Sequence, residues 1–370
     1  MNWDSFFFNG SAFIAGLYLL EYSADTFIDN TAIVARRLGV SETLVALLTA
    51  GAEWEEVCVH SPVPFPQSNS RTDNSQLAVV IAALLQHKPS LGLGNVIGSS
   101  ISNILGAFSL GLLFHPGPAT FDRSAKIYTL TLFLVTTIFT IITLTNQLDR
   151  VAGIFFIVTF VVYTLSVIYG IYKGVLDAPE EDSSDEESDR DEEASTSATE
   201  ASSLLANGRT RDDIHEPKRS LLFHVFQLVL GFIALSLSGY VLSHTASSLA
   251  SAMNLSNTVI GITILSFATT LPEKFLSVLS GIRGHGGIVV ASTAGSNIFL
   301  LTLCLGIIFV VGSGDEKLED EMVSFEVWTT WASSTVLMGI VFVGGRRWMG
   351  AVLLAAYIAF IVFEFTVYRR

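Results

Sequence analysis

The residues of this chain best suited to chemistry lie inside an apolar run: Thr269, Thr270, Leu271, Pro272 and Glu273, with Gly295, Ser296 and Asn297 beginning 22 residues after the glutamate. A carboxylate within a stretch fit to cross a bilayer is costly to keep there and marks an ion or proton path. Pro272 has no N–H and interrupts helical hydrogen bonding, which frees backbone carbonyls beside the acid. Irregular backbone at that depth is tolerated only against protein or a water-filled cavity, where its carbonyls can hold cations. Carboxylate, amide, hydroxyl and carbonyl oxygens together make the hard-ligand set that Ca2+ takes, about six to eight at a time.

The elements that must position these groups follow from composition. Half of the 370 residues are hydrophobic, only 15% are charged, and the mean hydropathy is +0.55; a polytopic membrane protein is implied. Apolar stretches fall at 10–34, 43–57 continuing at 77–86, 91–114, 127–146, 150–172, 221–246, 257–281, 286–311, 324–343 and 348–367, each near the roughly 20 residues a helix needs to span the hydrocarbon. The expected fold is all-α, with ten membrane helices. They divide into a first repeat at 1–172, a linker at 173–219 and a second repeat at 220–370. The N-terminus lacks a basic region before its apolar stretch, so the first helix is expected to be retained rather than cleaved. Cys58 and Cys304 are too few for a disulfide framework or a cysteine metal cage.

The net charge of −14 comes largely from the linker, where residues 177–200 carry twelve acids and one arginine. Such a serine-rich acidic run cannot bury enough apolar surface to order itself. If the linker is cytosolic, 13 Lys and Arg lie on its side of the membrane against 6 on the other, with Lys274 inside a span. That asymmetry places the linker in the cytosol and both termini on the luminal or extracellular side. Five spans per half then give the halves opposite orientation, an inverted repeat. Within the linker, Glu200-Ala201-Ser202-Ser203-Leu204-Leu205 has the form of an acidic dileucine signal, read by sorting adaptors for vacuoles and endosomes. Signals of this kind are read by receptors and anchor nothing.

Superposing the halves bears on the same point. Ser23 to Ser41 lies over Ser238 to Ser256, the run Glu53 to Glu56 over Thr270 to Glu273, and Gly94 to Ser99 over Ala291 to Ser296. Polar, broken helices at matching places of two inverted halves point to a secondary transporter's midplane site. On these phrases the chain resembles the calcium/cation antiporter superfamily, closest to its sodium/calcium-exchanger branch, over all its spans. That family carries a G-T-S-x-P-E phrase on the second helix of each half and a G-S-N phrase on the third. The resemblance implies alternating-access antiport of Ca2+ against Na+ or H+, with no bound cofactor beyond the transported ions. The lipid bilayer is the surrounding partner. Glu56 and Glu273 would be facing carboxylates; Ser99, Asn103, Thr269, Thr270, Ser296 and Asn297 would add oxygens. Glu53 is either a further ligand or a charge facing a water-filled vestibule. When a divalent ion leaves, the carboxylates need a replacement cation, so exchange follows from charge.

The first half departs from the family pattern. Glu53 and Glu55 stand where the family has Ser and Pro, Ser100 where it has Asn, and Leu300, in the second half, replaces an Asn or Asp. Twenty residues, 57–76, also interrupt it: Glu273 to Gly295 spans 22 positions but Glu56 to Gly98 spans 42, and removing 57–76 restores the match with Leu77 following Glu56. The segment holds three prolines. It reads either as a translated, unspliced intron or as a genuine loop. Val57-Cys58-Val59-His60 can be encoded with a splice-donor start, Thr72-Asp73 with a branch sequence and Gln76 with a terminal CAG. Enzyme signatures are absent, as is any nucleic-acid-binding pattern. The expected function is Ca2+/cation antiport in a vacuolar or other endomembrane; the alternative is a non-transporting membrane protein or sensor with a degraded first-half site.

Overall fold

The computed structural model describes residues 3–37, 72–172, 221–312 and 324–367. Glu53, Glu56, most of segment 57–76 and the acidic linker with its dileucine signal lie outside them. The described chain is helical apart from its short connections and one isolated β-bridge. Its helices are α1 (Trp3–Arg37), α2 (Thr72–Leu85), α3 (Pro89–Phe114), α4 (Arg123–Leu144), α5 (Arg150–Tyr172), α6 (Leu221–Met253), α7 (Asn257–Thr269), α8 (Leu271–Ile282), α9 (Gly286–Gly312), α10 (Ser324–Val343) and α11 (Arg347–Thr366). Seven of these are long and apolar enough to cross a bilayer, and α7 with α8 makes an eighth span bent by 46°. Two of the ten expected spans are not in that set. One is α1, a continuous 35-residue helix whose apolar run is interrupted by Asn9, Ser11 and Glu21; the other is represented by the short α2.

The arrangement follows from where apolar side chains point. Large hydrophobic residues face outward on the peripheral helices, among them Val158, Val162 and Leu165 on α5, Phe226 and Ile233 on α6, and Val352 and Ile358 on α11. That surface suits lipid. The centre belongs to α3 and α9: every residue from Pro89 to Phe108 is buried, and Ile298 to Leu301 of α9 pack into the same core. Around them α1 lies along α6, α10 along α4, and α9 against α5.

Small and hydroxyl residues allow this close packing. Thr129, Thr136, Thr140 and Thr143 form a buried stripe on α4, each donating its hydroxyl hydrogen to the carbonyl four residues earlier. Satisfied internally, these hydroxyls cost little in an apolar interior. Across from them Trp331 on α10 donates its indole N–H to Thr137 at 3.1 Å.

Among the described residues three spans contain a π-helical segment: Ser102–Phe108 in α3, Gly261–Leu265 in α7 and Leu300–Cys304 in α9. The first and third follow the polar phrases at Ser99 and Ser296 in the two halves, and the second precedes Thr269. π-turns in helices occur often at functional sites.

One end of the bundle is tied together. Ala119 and Gly345 form an antiparallel bridge with both hydrogen bonds at 2.9 Å. The His115 ring lies 3.1 Å from the carbonyl oxygen of Gly284, and Arg347 donates to the His115 carbonyl at 2.6 Å. The loops after α3, α8 and α10 therefore meet, and Arg123, Arg283, Arg346 and Arg347, in or beside them, share one end of the bundle.

Candidate functional site

The crossing of α3 and α7 builds the site. A Cβ at Gly94 would sit 2.5 Å from the Thr258 carbonyl oxygen, and one at Gly98 would collide with the backbone of Ile262. Only glycine lets the two backbones approach so closely. The contact brings the polar face of α3 (Asn95, Ser99, Ser102) against the point where α7 ends and α8 begins. There Thr270 leaves helical geometry at φ −101°, ψ 14°, and Pro272 enters the first turn of α8. Proline is at home in a first turn, whose N–H groups have no intrahelical acceptor.

Two hydrogen-bonded groups meet at this junction. In the first, the Gln76 side-chain oxygen accepts from Asn95 Nδ2 at 3.0 Å and from Ser99 Oγ at 3.2 Å. The Asn95 oxygen accepts in turn from Thr269 Oγ1 at 3.3 Å, so the chain of contacts runs from α2 through α3 to α7. In the second group, Lys274 Nζ donates to Ser102 Oγ at 2.7 Å, Thr270 Oγ1 at 2.5 Å and the Thr270 carbonyl at 3.2 Å. Ser102 also lies 2.8 Å from the Tyr357 hydroxyl of α11. The Lys274 ammonium stands 4.8 Å from the centre of the Phe267 ring, a favourable placement for a cation over an aromatic face.

The expected site residues divide accordingly. Ser99, Thr269 and Thr270 enter these groups. Glu273 is buried in the first turn of α8, where the helix dipole favours its negative charge. Asn103, Ser296 and Asn297 are buried too. Asn297 donates to the Thr293 carbonyl at 2.8 Å, and its own oxygen has no hydrogen-bond partner among the described residues; neither polar atom of Asn103 has one. Such buried, unanswered oxygens are suited to a ligand. Among the described residues no three His, Cys, Asp or Glu side chains cluster to hold a metal, and the oxygens gathered near Glu273 are those of hydroxyls, amides and backbone carbonyls.

Five members of the site were not read from the sequence: Gln76, Asn95, Ser102, Lys274 and Tyr357. Segment 57–76 was expected to be foreign to the helix as a whole, yet α2 begins at Thr72 and Gln76 is completely buried. Its last five residues are continuous with the helix that follows. Lys274 follows Glu273 directly, and neighbours in sequence do not share a helical face. Its long stem instead runs back over one turn to Thr270. Tyr357, from the last helix, closes the second group and carried no sequence signal.

The model of the family described as sodium/calcium exchanger protein matches residues 73–169 and 223–366, more than half of the chain. The chain belongs to this family. The sodium/calcium exchanger MaX1 of Methanosarcina acetivorans is 23% identical over 379 residues, covering 95% of this chain and 97% of that protein. The inner membrane protein YrbG of Escherichia coli is 24% identical over 304 residues, covering 82% and 79%. Among solved structures, the sodium-calcium exchanger NCX_Mj superposes with a TM-score of 0.53 at 22% identity, covering 96% of this chain and 99% of that one. The family match takes in α6 almost from its start but, in the first half, begins only at residue 73.

Proposed function

We infer that the chain is a secondary active antiporter that exchanges Ca2+ for Na+ or H+ by alternating access between two inverted five-helix repeats. The observation that carries this reading is the oxygen-lined junction at the α7–α8 break. It is buried, joined across α2, α3 and α7 by the contacts of Gln76, Asn95 and Thr269, and adjacent to Glu273. Membership of the exchanger family and the names of its relatives support the same chemistry. In this reading Glu273, Thr269, Thr270, Ser99, Asn103, Ser296 and Asn297 supply oxygens to the ion. A cation must replace Ca2+ when it leaves, because a bare buried carboxylate is unfavourable.

Lys274 supplies a resident positive charge beside the ion. Its ammonium, held by three oxygens, occupies space that a free monovalent cation would otherwise fill, and lowers the number of counter-ions needed. The linker faces the cytosol and both termini the opposite side, in an endomembrane. The acidic dileucine phrase and the gathering of Arg123, Arg283, Arg346 and Arg347 at one end support that placement.

The test is 45Ca2+ uptake into proteoliposomes under an imposed Na+ gradient, an imposed pH gradient, or neither. Uptake driven by one gradient and absent without it is expected. Uptake independent of both would mean a channel, and none at all a sensor. The sensor reading draws on the amide at Gln76 and the ammonium of Lys274, which together leave the described site poor in negative charge.

A further inference from the structure

We propose that Gln76 occupies the first-half ligand position that corresponds to Glu273, so that segment 57–76 exchanges a carboxylate for an amide at the ion site. The inference deepens the antiporter reading and rests on it for the identity of the ion. Register is the first support. Gln76 precedes Gly98 by 22 residues, and Glu273 precedes Gly295 by 22. At the same offset Ser99 of α3 corresponds to Ser296 of α9.

Geometry is the second, independent support. Gln76 is wholly buried, and its oxygen already receives two hydrogen bonds from α3, at 3.0 and 3.2 Å. A carboxylate oxygen would accept both equally well. The Gln76 amide nitrogen, in contrast, is buried with no hydrogen-bond partner among the described residues. A donor without an acceptor is costly inside a protein. A second carboxylate oxygen in that place would present an acceptor to a cation instead. The surroundings are those of a glutamate, and the residue present is a glutamine.

The sequence contains that glutamate. Segment 57–76 is twenty residues long, and without it Glu56 directly precedes Leu77. Glu56 would then stand directly before Leu77, in the place that Gln76 now holds. The two forms differ in charge where charge decides binding. With Gln76, the formal charges of Glu273 and Lys274 cancel; with a glutamate there, the site gains one negative charge. In a medium of low effective permittivity that charge weighs heavily on the affinity for a divalent ion. Residue 76 thus sets whether the site favours divalent cations, and loss of 57–76 converts the weak form into the strong one.

Four proteins test this: the full chain, Gln76→Glu in the full chain, the chain lacking 57–76, and that shorter chain carrying Glu56→Gln. Each is purified, checked for monodispersity, and assayed for 45Ca2+ binding by equilibrium dialysis and for gradient-driven uptake in proteoliposomes. Gln76→Glu and removal of 57–76 should each tighten Ca2+ binding by at least about tenfold, and Glu56→Gln in the shorter chain should return it to the full-chain value. Equal binding by the full chain and the shorter chain, or no effect of Glu56→Gln, overturns the inference. Binding that follows this pattern with no uptake in any form upholds it and overturns the antiporter reading.

Discussion

At the scale of single residues, Glu273 and Lys274 are the decisive pair. They stand side by side at the start of α8, both buried, and carry opposite formal charge. Removing the carboxylate alone takes away the negative charge next to the buried ammonium, a costly change in a low-permittivity interior. Glu273→Gln is expected to lower gradient-driven Ca2+ uptake by about 100-fold or more, with Tm followed to separate loss of the site from loss of the fold. Uptake within a factor of about three of the parent would remove Glu273 from the site. Lys274→Met acts in the opposite sense. It deletes the resident positive charge while keeping the length of the stem against Tyr357, and one more counter-ion should then accompany each Ca2+ exchanged. The membrane potential at which net Ca2+ flux vanishes, measured across a series of Na+ or proton gradients, reports that count; an unchanged value would show that the ammonium takes no part in charge balance.

At the scale of elements, the glycine crossing of α3 with α7 holds the polar groups in register. A methyl at Gly98 meets the backbone of Ile262 as well as the Ser266 hydroxyl, so the helices must separate. Gly98→Ala is expected to destabilise by about 1–3 kcal/mol, the usual cost of overpacking, and to lower Tm. Because Asn95, Ser99 and Ser102 move with α3, Ca2+ binding should weaken in parallel. An undiminished Tm would mean that the interface relaxes freely.

Much of this architecture was legible in the sequence because each span is a long apolar run, and such runs have few alternative structures in lipid. The ends of α3, α4, α5, α9, α10 and α11 fall within a few residues of those expected. The break before Glu273 was legible through Pro272, although the chain bends at Thr270, two residues earlier. The π-segments were not legible: one surplus residue in a helical turn leaves no compositional mark. Gln76 was hidden because the polar residues that begin α2 have the composition of a loop. Lys274 was hidden because one of its partners, Ser102, lies on a distant helix, and no local pattern announces that contact. Glu326 and Glu364, both completely buried in α10 and α11, stand among apolar neighbours with no motif around them.

At the scale of the whole molecule, the meeting of the loops after α3, α8 and α10 fixes which segments share a side of the membrane. Single cysteines at Gly117, Gly284 and Gly344, in a background with Cys58 and Cys304 replaced, are expected to react with a membrane-impermeant maleimide from one side. Cysteines at His87 and Asn146, in the turns that end α2 and α4, should react only from the other. Labelling of Gly117→Cys and Gly284→Cys from opposite faces would contradict the bundle described here. Applied to sealed vesicles of known orientation, the same experiment settles whether the basic end faces the cytosol.

The three π-turns bear on how this protein's lineage can change length. A bulge of that kind is an ordinary helix holding one supernumerary residue, so trimming a single position there would leave a shorter but unbroken span. Trimming one elsewhere in the same helices would swing every later side chain by about 100° and scatter the oxygens. One-codon gaps between distant cousins should therefore collect around Gly106, Thr263 and Thr302, where the fold can absorb them, and be rare in the intervening turns.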